Sequence, residues 1–259
     1  MRKIEYFVAN PAGNITIFVT TPVEQKDYQM IAEKLLAIEE HHAEQIAYIK
    51  EGNRTEMCGM EFCGNASRAF ALWYGKNSLG INGKGKVSIS VSGADEELDV
   101  DIDTDSNYTK IAMPKPLKIS KWDMDDKDGI LVDLDGIMHL VLFDEEADAE
   151  KFAHYNKLIN DRFDPPATGV MFLKKDTLEL VPVVYVRDVD TTYFEGSCGS
   201  GSTAVAIALS YGKPDGDYSF ELKQPAGTIT ASTCIRSGKV EQVFIEGSVS
   251  FGEMLTLEF

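Results

Sequence analysis

Phe62-Cys63-Gly64-Asn65-Ala66-Ser67-Arg68-Ala69-Phe70-Ala71 is matched further along by Ser197-Cys198-Gly199-Ser200-Gly201-Ser202-Thr203-Ala204-Val205-Ala206. Counted from each cysteine, the glycine, a serine four on and alanines six and eight on coincide. Each stretch then reaches Tyr-Gly-Lys, at Tyr74 to Lys76 and at Tyr211 to Lys213. The cysteines stand a little over half the chain apart, and a repeat at that spacing predicts two similar halves. Each half presents one thiol at the start of a helix. If the halves face each other, both thiols point into one cleft.

The sequence around each copy supports this division. Glu5 to Ala9 and Ile15 to Thr20 read as strands around the turn formers Asn10-Pro11-Ala12-Gly13-Asn14. Tyr28, Ile31, Leu35 and Ile38 recur at helical spacing, which predicts a helix over Asp27 to Glu40. Gln45 to Lys50 is a strand, Asn65 to Tyr74 a helix, and Asn77 to Lys86 a loop rich in Gly and Asn. Val87 to Val91 and Leu98 to Ile102 alternate as strands. Met113-Pro114-Lys115-Pro116 is the expected crossing between halves, since proline disrupts both helix and ladder.

Beyond it the order repeats. Strands are expected at Ile130 to Leu134 and His139 to Phe143, and a helix over Ala147 to Asn160, closed by Asp164-Pro165-Pro166. Strands follow at Val170 to Leu173 and Leu180 to Val186, then the matching helix at Ser202 to Tyr211. The rest reads as four strands: Tyr218 to Leu222, Thr228 to Ser232, Val240 to Glu246 and Met254 to Glu258. The fold class is therefore mixed α/β (α+β), in two halves at 1–115 and 116–259. Each is strand-rich with a central helix that starts after a cysteine.

The bulk numbers narrow the function. A length of 259 residues and 44% apolar content describe a globular protein. A net charge of −17 repels nucleic acid and anionic lipid, which leaves a small molecule or another protein as partner. The same charge also serves as a solubility device. No apolar run approaches the ~18 residues of a membrane span. No apolar signal core follows Met1-Arg2-Lys3, so a cytoplasmic location is expected. Cys58, Cys63, Cys198 and Cys234 are then reduced thiols. Their spacing, with His41 and His42 directly adjacent, makes poor metal geometry, so no metal site is expected. The sequence does not fix the oligomeric state and leaves a homodimer open.

A helix N-terminus carries unpaired N–H groups and partial positive charge. It lowers the pKa of a thiol placed there, and it binds an anion. Backbone N–H groups of Gly64, Asn65, Gly199 and Ser200 are the candidates to hold a carboxylate. One thiol on each side suits inversion at the carbon next to that carboxylate. One cysteine, as thiolate, takes the α-proton, and the other, as thiol, protonates the opposite face. N–H groups stabilise the developing charge. The sequence demands no cofactor, because neither a Schiff-base lysine nor a phosphate cup has a local signature. Other classes stay open. Gly199-Ser200-Gly201-Ser202-Thr203-Ala204 fits the dinucleotide pattern G-x-G-x-x-A, although its twin lacks the second glycine. A thiol–disulfide enzyme would want Cys-x-x-Cys. The repeated Cys-Gly starts could simply be tight turns, and an amino-acid-binding protein without catalysis could keep the cleft.

At Cys63-Gly64-Asn65 and Cys198-Gly199-Ser200-Gly201 the chain resembles the diaminopimelate epimerase superfamily of cofactor-independent racemases. That resemblance implies two pseudo-symmetric domains, each a mixed, mostly antiparallel, barrel-like sheet around a central helix. It implies that Cys63 and Cys198 are the acid/base pair and that residues 251–259 pack onto the first half. Gly13-Asn14 matches the family's early substrate-binding pair and His139 falls where the family has its histidine, which implies Asn14 and His139 in the substrate site. Distal-carboxylate features depart: no Glu-Arg-Gly precedes Cys198, Gly169 stands where Asn is expected, and Gly136-Ile137-Met138 replaces Gly-Asn-Pro. The chain is more similar to the histidine racemases of the superfamily at Asn10 to Ile17, Ala43 to Ile46, Glu61 to Ala66 and Glu195 to Gly201. This implies L- and D-histidine as the small-molecule substrate, Glu44 facing the imidazole, and Glu195 among the substrate-binding residues. Diaminopimelate or another amino acid is the alternative substrate. His41, His42 and His154 read as surface residues, and Arg68 as a partner for an acidic neighbour.

Overall fold

The computed structural model describes residues 3–258. Met1, Arg2 and Phe259, which the two expected halves include, lie outside the described residues. One compact unit runs to Ala112 and resumes at Glu246, and the other is Met113–Ile245. Unit one holds β1 (Lys3–Asn10), β2 (Thr16–Val19), α1 (Tyr28–Leu36), β3 (Gln45–Ile49) and β4 (Arg54–Met57). It continues with α2 (Gly64–Asn77), β5 (Lys84–Val91), β6 (Leu98–Asp103) and β7 (Tyr108–Met113). Unit two holds β8 (Lys118–Lys121), β9 (Gly129–Leu134), β10 (Ile137–Phe143), α3 (Ala149–Phe163), β11 (Ala167–Lys174) and β12 (Glu179–Val186). It continues with β13 (Thr191–Phe194), α4 (Gly199–Ser210), β14 (Gly216–Gln224) and β15 (Gly227–Arg236). The strand β16 (Lys239–Ser248) leads back to unit one, which β17 (Ser250–Phe251) and β18 (Leu255–Glu258) complete.

The two units share one pairing scheme. In unit one, β18, β1 and β2 are antiparallel, β2–β3 parallel, β3–β4 antiparallel, β4–β5 parallel, and β5–β6–β7 antiparallel. In unit two, β8, β9 and β10 are antiparallel, β10–β11 parallel, β11–β12 antiparallel, β12–β14 parallel, and β14–β15 antiparallel. The duplication seen at the cysteines thus extends through a whole sheet.

Strand alternation assigns each face a helix. In unit one, Ile17 and Val19 of β2 and Ile46 and Tyr48 of β3 pack with Tyr28, Ile31 and Leu35 of the amphipathic α1. The opposite face carries Phe7 and Phe18, stacked at 5.2 Å, with Trp73 of α2 stacked on Phe7. In unit two, Met138, Leu140 and Leu142 of β10 pack with Phe152, Tyr155 and Ile159 of α3. The other face meets α4, which packs against β9, β10, β11, β14 and β15. Nearly every α4 residue is buried, as a helix enclosed on all sides requires.

Several expected boundaries move. The first helix stops at Leu36 rather than Glu40, and Glu39–His41 forms a 3-10 turn ending in left-handed His42. Ile38, the last residue of the apolar stripe, still packs against the α1 core, but from outside the helix. Lys84 to Lys86, expected in a loop, begin β5 and pair with β6. The strands β4, β7, β8 and β13 were not signalled: Thr55 and Thr109 blur apolar alternation in β4 and β7, and β8 and β13 bury no residue fully. Among the described residues, no helix is long and apolar enough to cross a membrane.

Candidate active site

Cys63 and Cys198 are the N-cap residues of α2 and α4, with extended backbones of φ −128°, ψ 108° and φ −125°, ψ 117°. Each sulfur accepts the backbone N–H three residues on, from Ala66 at 3.5 Å and from Gly201 at 3.3 Å. Each cysteine carbonyl accepts a serine hydroxyl, from Ser67 at 2.7 Å and from Ser202 at 2.6 Å. The repeated residues thus build the same cap twice. Gly64 with Asn65, and Gly199 with Ser200, fill the first two helical positions, where N–H groups have no partner inside the helix.

What approaches each sulfur differs. In unit one, Thr16 and Gln45 are partners across the parallel pair of β2 and β3. They point away from α1 and toward the head of α2. Gln45 Nε2 donates to Asn14 Oδ1 and to Thr16 Oγ1, both at 2.8 Å, and to Cys63 Sγ at 3.3 Å. Asn14 Nδ2 donates in turn to Glu44 Oε2 at 2.7 Å, and Cys63 Sγ lies 4.0 Å from Asn14 Oδ1. Asn14, Glu44, Asn65 and Cys63 therefore come together in unit one. Gln45 is the residue that ties three of its side chains together, and sequence reasoning gave it no role. Its signal was a polar side chain next to Glu44 at the head of a buried strand.

The segment leading into Cys63 is fixed from behind. Ser92 Oγ donates to Glu61 O at 2.9 Å and accepts Met57 N–H at 2.8 Å. Gly93, at φ +70°, comes so close that a Cβ there would lie 2.3 Å from Phe62 N. Only glycine satisfies both the left-handed backbone and that approach.

In unit two, His139 of β10 points to the α4 face and is wholly buried. Its Nε2 lies 3.0 Å from Ser200 Oγ, which is 3.4 Å from Cys198 Sγ. Its Nδ1 has no partner. The ring fills the space beside Gly169, where a Cβ would sit 2.1 Å from Nδ1. This is the physical reason for glycine at a position where the resemblance led us to expect Asn. Gln224, also without an assigned role, accepts Cys198 N–H at 2.8 Å and donates to Ser202 Oγ at 3.0 Å. Cys198, Ser200, His139 and Glu195 are brought together, and the Glu195 N–H donates to Pro182 O at 3.0 Å.

The electrostatics reverse one expectation. Burial pushes the Cys63 thiol up, against the pull of the Ala66 N–H and Gln45, and Glu61 adds to the rise. Burial also pushes Cys198 well up, and the Glu195 carboxylate raises it further, while Ser200 and the Gly201 N–H oppose. Helix N-termini alone would lower both, but desolvation outweighs two or three donors. Both thiols are therefore protonated at rest. Burial drives His139 down to about 3, so it is a neutral imidazole.

Of the remaining expectations, Cys58 and Cys234 are free and half-buried. His41 bonds Tyr6 Oη through Nε2 at 3.0 Å, so it is not simply a surface residue. Among the described residues, no three His, Cys, Asp or Glu side chains gather as a metal site. A groove of about 710 Å³ on α3 and the β12–β13 hairpin contains none of these site residues. The duplicated caps, not that concavity, mark the candidate site.

The model of the histidine racemase CntK N-terminal domain matches residues 3–253. A histidine racemase of Fusobacterium nucleatum subsp. nucleatum is 34% identical, over 81% of this chain and 82% of that one. A histidine racemase of Staphylococcus aureus is 26% identical, over 95% of this chain and 94% of its own. Among solved structures, a Bacillus anthracis phenazine biosynthesis protein of the PhzF family has a TM-score of 0.69 at 14% identity, with 100% of both chains covered. A hydroxyproline epimerase from Agrobacterium vitis, with bound trans-4-hydroxy-L-proline, has a TM-score of 0.65 at 10% identity, over 99% of this chain and 91% of its own. At such identities these structures show a shared fold. The chain is an isomerase, of the amino-acid racemase class. Within that class it belongs to the family described by the histidine racemase CntK N-terminal domain.

Proposed function

We propose that this chain interconverts L- and D-histidine without a cofactor, with Cys63 and Cys198 as the acid/base pair. The observation that carries the reading is the duplicated cap: two thiols, each at the N-cap of a buried helix, with matching backbone and matching N–H donors. The names of three relatives favour histidine. The shared strand order of the two units favours a diaminopimelate epimerase-like ancestry.

In this reading one cysteine has given its proton to solvent before substrate binds. The thiolate sulfur takes the α-proton, and the C–H electron pair moves onto the α-carbon and into the carboxylate. The second thiol gives its proton to the opposite face. Turnover leaves the protonation of the two cysteines exchanged, ready for the reverse direction. N–H groups of Gly64, Asn65, Gly199 and Ser200 hold the carboxylate and its developing charge. Asn14 and Glu195 bind polar groups of the substrate. Glu44 accepts an imidazole N–H, in place of the bond it now takes from Asn14. His139, neutral and buried, orients Ser200 beside Cys198.

The test is incubation with L-histidine in deuterated water without pyridoxal phosphate. Deuterium should enter the α-position and D-histidine accumulate, while Cys63→Ala and Cys198→Ala each lose net racemisation. Retained activity in both variants overturns the assignment. Tight binding without exchange would instead identify an amino-acid-binding protein. Glu44→Ala should cost histidine more than alanine, and an equal loss removes Glu44 from the side-chain pocket.

A further inference from the structure

Arg68, on the second turn of α2, is fully buried. Its Nε donates to Asn65 Oδ1 at 3.1 Å. Its Nη1 donates to Thr109 Oγ1 at 3.3 Å, Gly247 O at 3.0 Å and Ser248 O at 3.3 Å. All four acceptors are neutral, and Nη2 has no partner. The acidic neighbour expected from the sequence is replaced by a carbonyl and hydroxyl cage. Burying an ion without a counter-ion is costly. Burial lowers the guanidinium to about 10, which leaves it charged at neutral pH, and Cys63 is the first group that supports its charge, followed by Tyr108.

We propose that Arg68 is a positioning residue for Cys63: its uncompensated guanidinium is a standing positive charge inside α2, and the Cys63 thiolate is the counter-ion that arrives during turnover. The fork geometry explains why arginine stands here. Nε and Nη1 are pinned across α2, β7 and β16, so the charge cannot swing out to water. The thiolate needs such a partner. Glu61 faces Cys63 with like charge, and Glu44 stands one side chain away through Asn14. Arg68, Gln45 and the helix N–H groups offset both carboxylates.

The inference rests on the acid/base role proposed for Cys63, but it can be read without turnover. In the full chain carrying Cys58→Ser, Cys198→Ser and Cys234→Ser, iodoacetamide alkylation reports the Cys63 thiolate across pH. Arg68→Met should slow alkylation at pH 7 by about tenfold or more and displace the profile to higher pH, and Arg68→Lys should restore part of it. Thr109→Asp, which gives the guanidinium a carboxylate, should act in the same direction with an unchanged or higher Tm. Thr109→Asn, neutral and of the same size, should leave the profile in place. The Thr109 pair decides the matter if Arg68→Met does not fold. An unmoved profile in Thr109→Asp, or in folded Arg68→Met, overturns the proposal and makes Arg68 a purely structural clamp. A displaced profile in a protein whose Cys63→Ala form still racemises would instead defeat the catalytic reading of Cys63 alone.

Discussion

Two thiols with the same backbone meet different company. Cys63 accepts from an amide side chain, whereas Cys198 lies beside a hydroxyl and a carboxylate. Burial raises both, so in the proposed reaction the free enzyme must lose a proton from one of them before it can act. We expect kcat/KM for each enantiomer to climb with pH through and above the ordinary thiol range, and a profile already flat at neutral pH would contradict this. His139 makes a second pH prediction. Its folded value lies below its unfolded one, so the unfolded chain takes up a proton that the native state refuses. Stability should be unaffected above about pH 7 and fall as pH drops from about 6.5 toward 3. His139→Gln should flatten that slope in urea unfolding measured across pH. Gly169→Ala drives a methyl into the same ring and should cost about 1–3 kcal/mol in the same assay. The two cysteines were legible in the sequence because they are duplicated together with their helix-forming neighbours. Gln45, Gln224 and Arg68 were not, because their partners come from strands far away in sequence.

At the level of elements, each cysteine is also a helix cap. Serine caps a helix well, because its oxygen accepts the same N–H groups. Cys63→Ser and Cys198→Ser should therefore keep a Tm close to the parent's while losing turnover, and calorimetry beside the exchange assay checks the separation. The helices α1 and α3 were readable from their spaced apolar stripes. The central helices were readable from small residues after a cysteine. The strands β4, β7, β8 and β13 were hidden, because a short strand with polar residues on both faces looks like a loop until its neighbour is known. Pairing, not propensity, makes them strands.

For the whole molecule, the repeat proves deeper than the motif that revealed it. Both units run antiparallel and parallel pairings in the same order, with one amphipathic and one enclosed helix each. Unit one is nevertheless discontinuous, since β18 pairs with β1 from Lys3–Glu258 to Tyr6–Leu255. Ending the chain after residue 254 would leave the β1 edge unpaired from Lys3 to Tyr6. Such a protein should melt at lower temperature and self-associate, which light scattering would detect.

The same pairing sets a timetable for synthesis. On the ribosome the opening strand emerges first, yet the neighbour that seals it is translated after everything between Met113 and Ile245. The middle of the polypeptide can reach its native form while the beginning still waits with one flank bare. A released chain that ends at residue 245 should therefore resist protease over its latter part and yield over its earlier part.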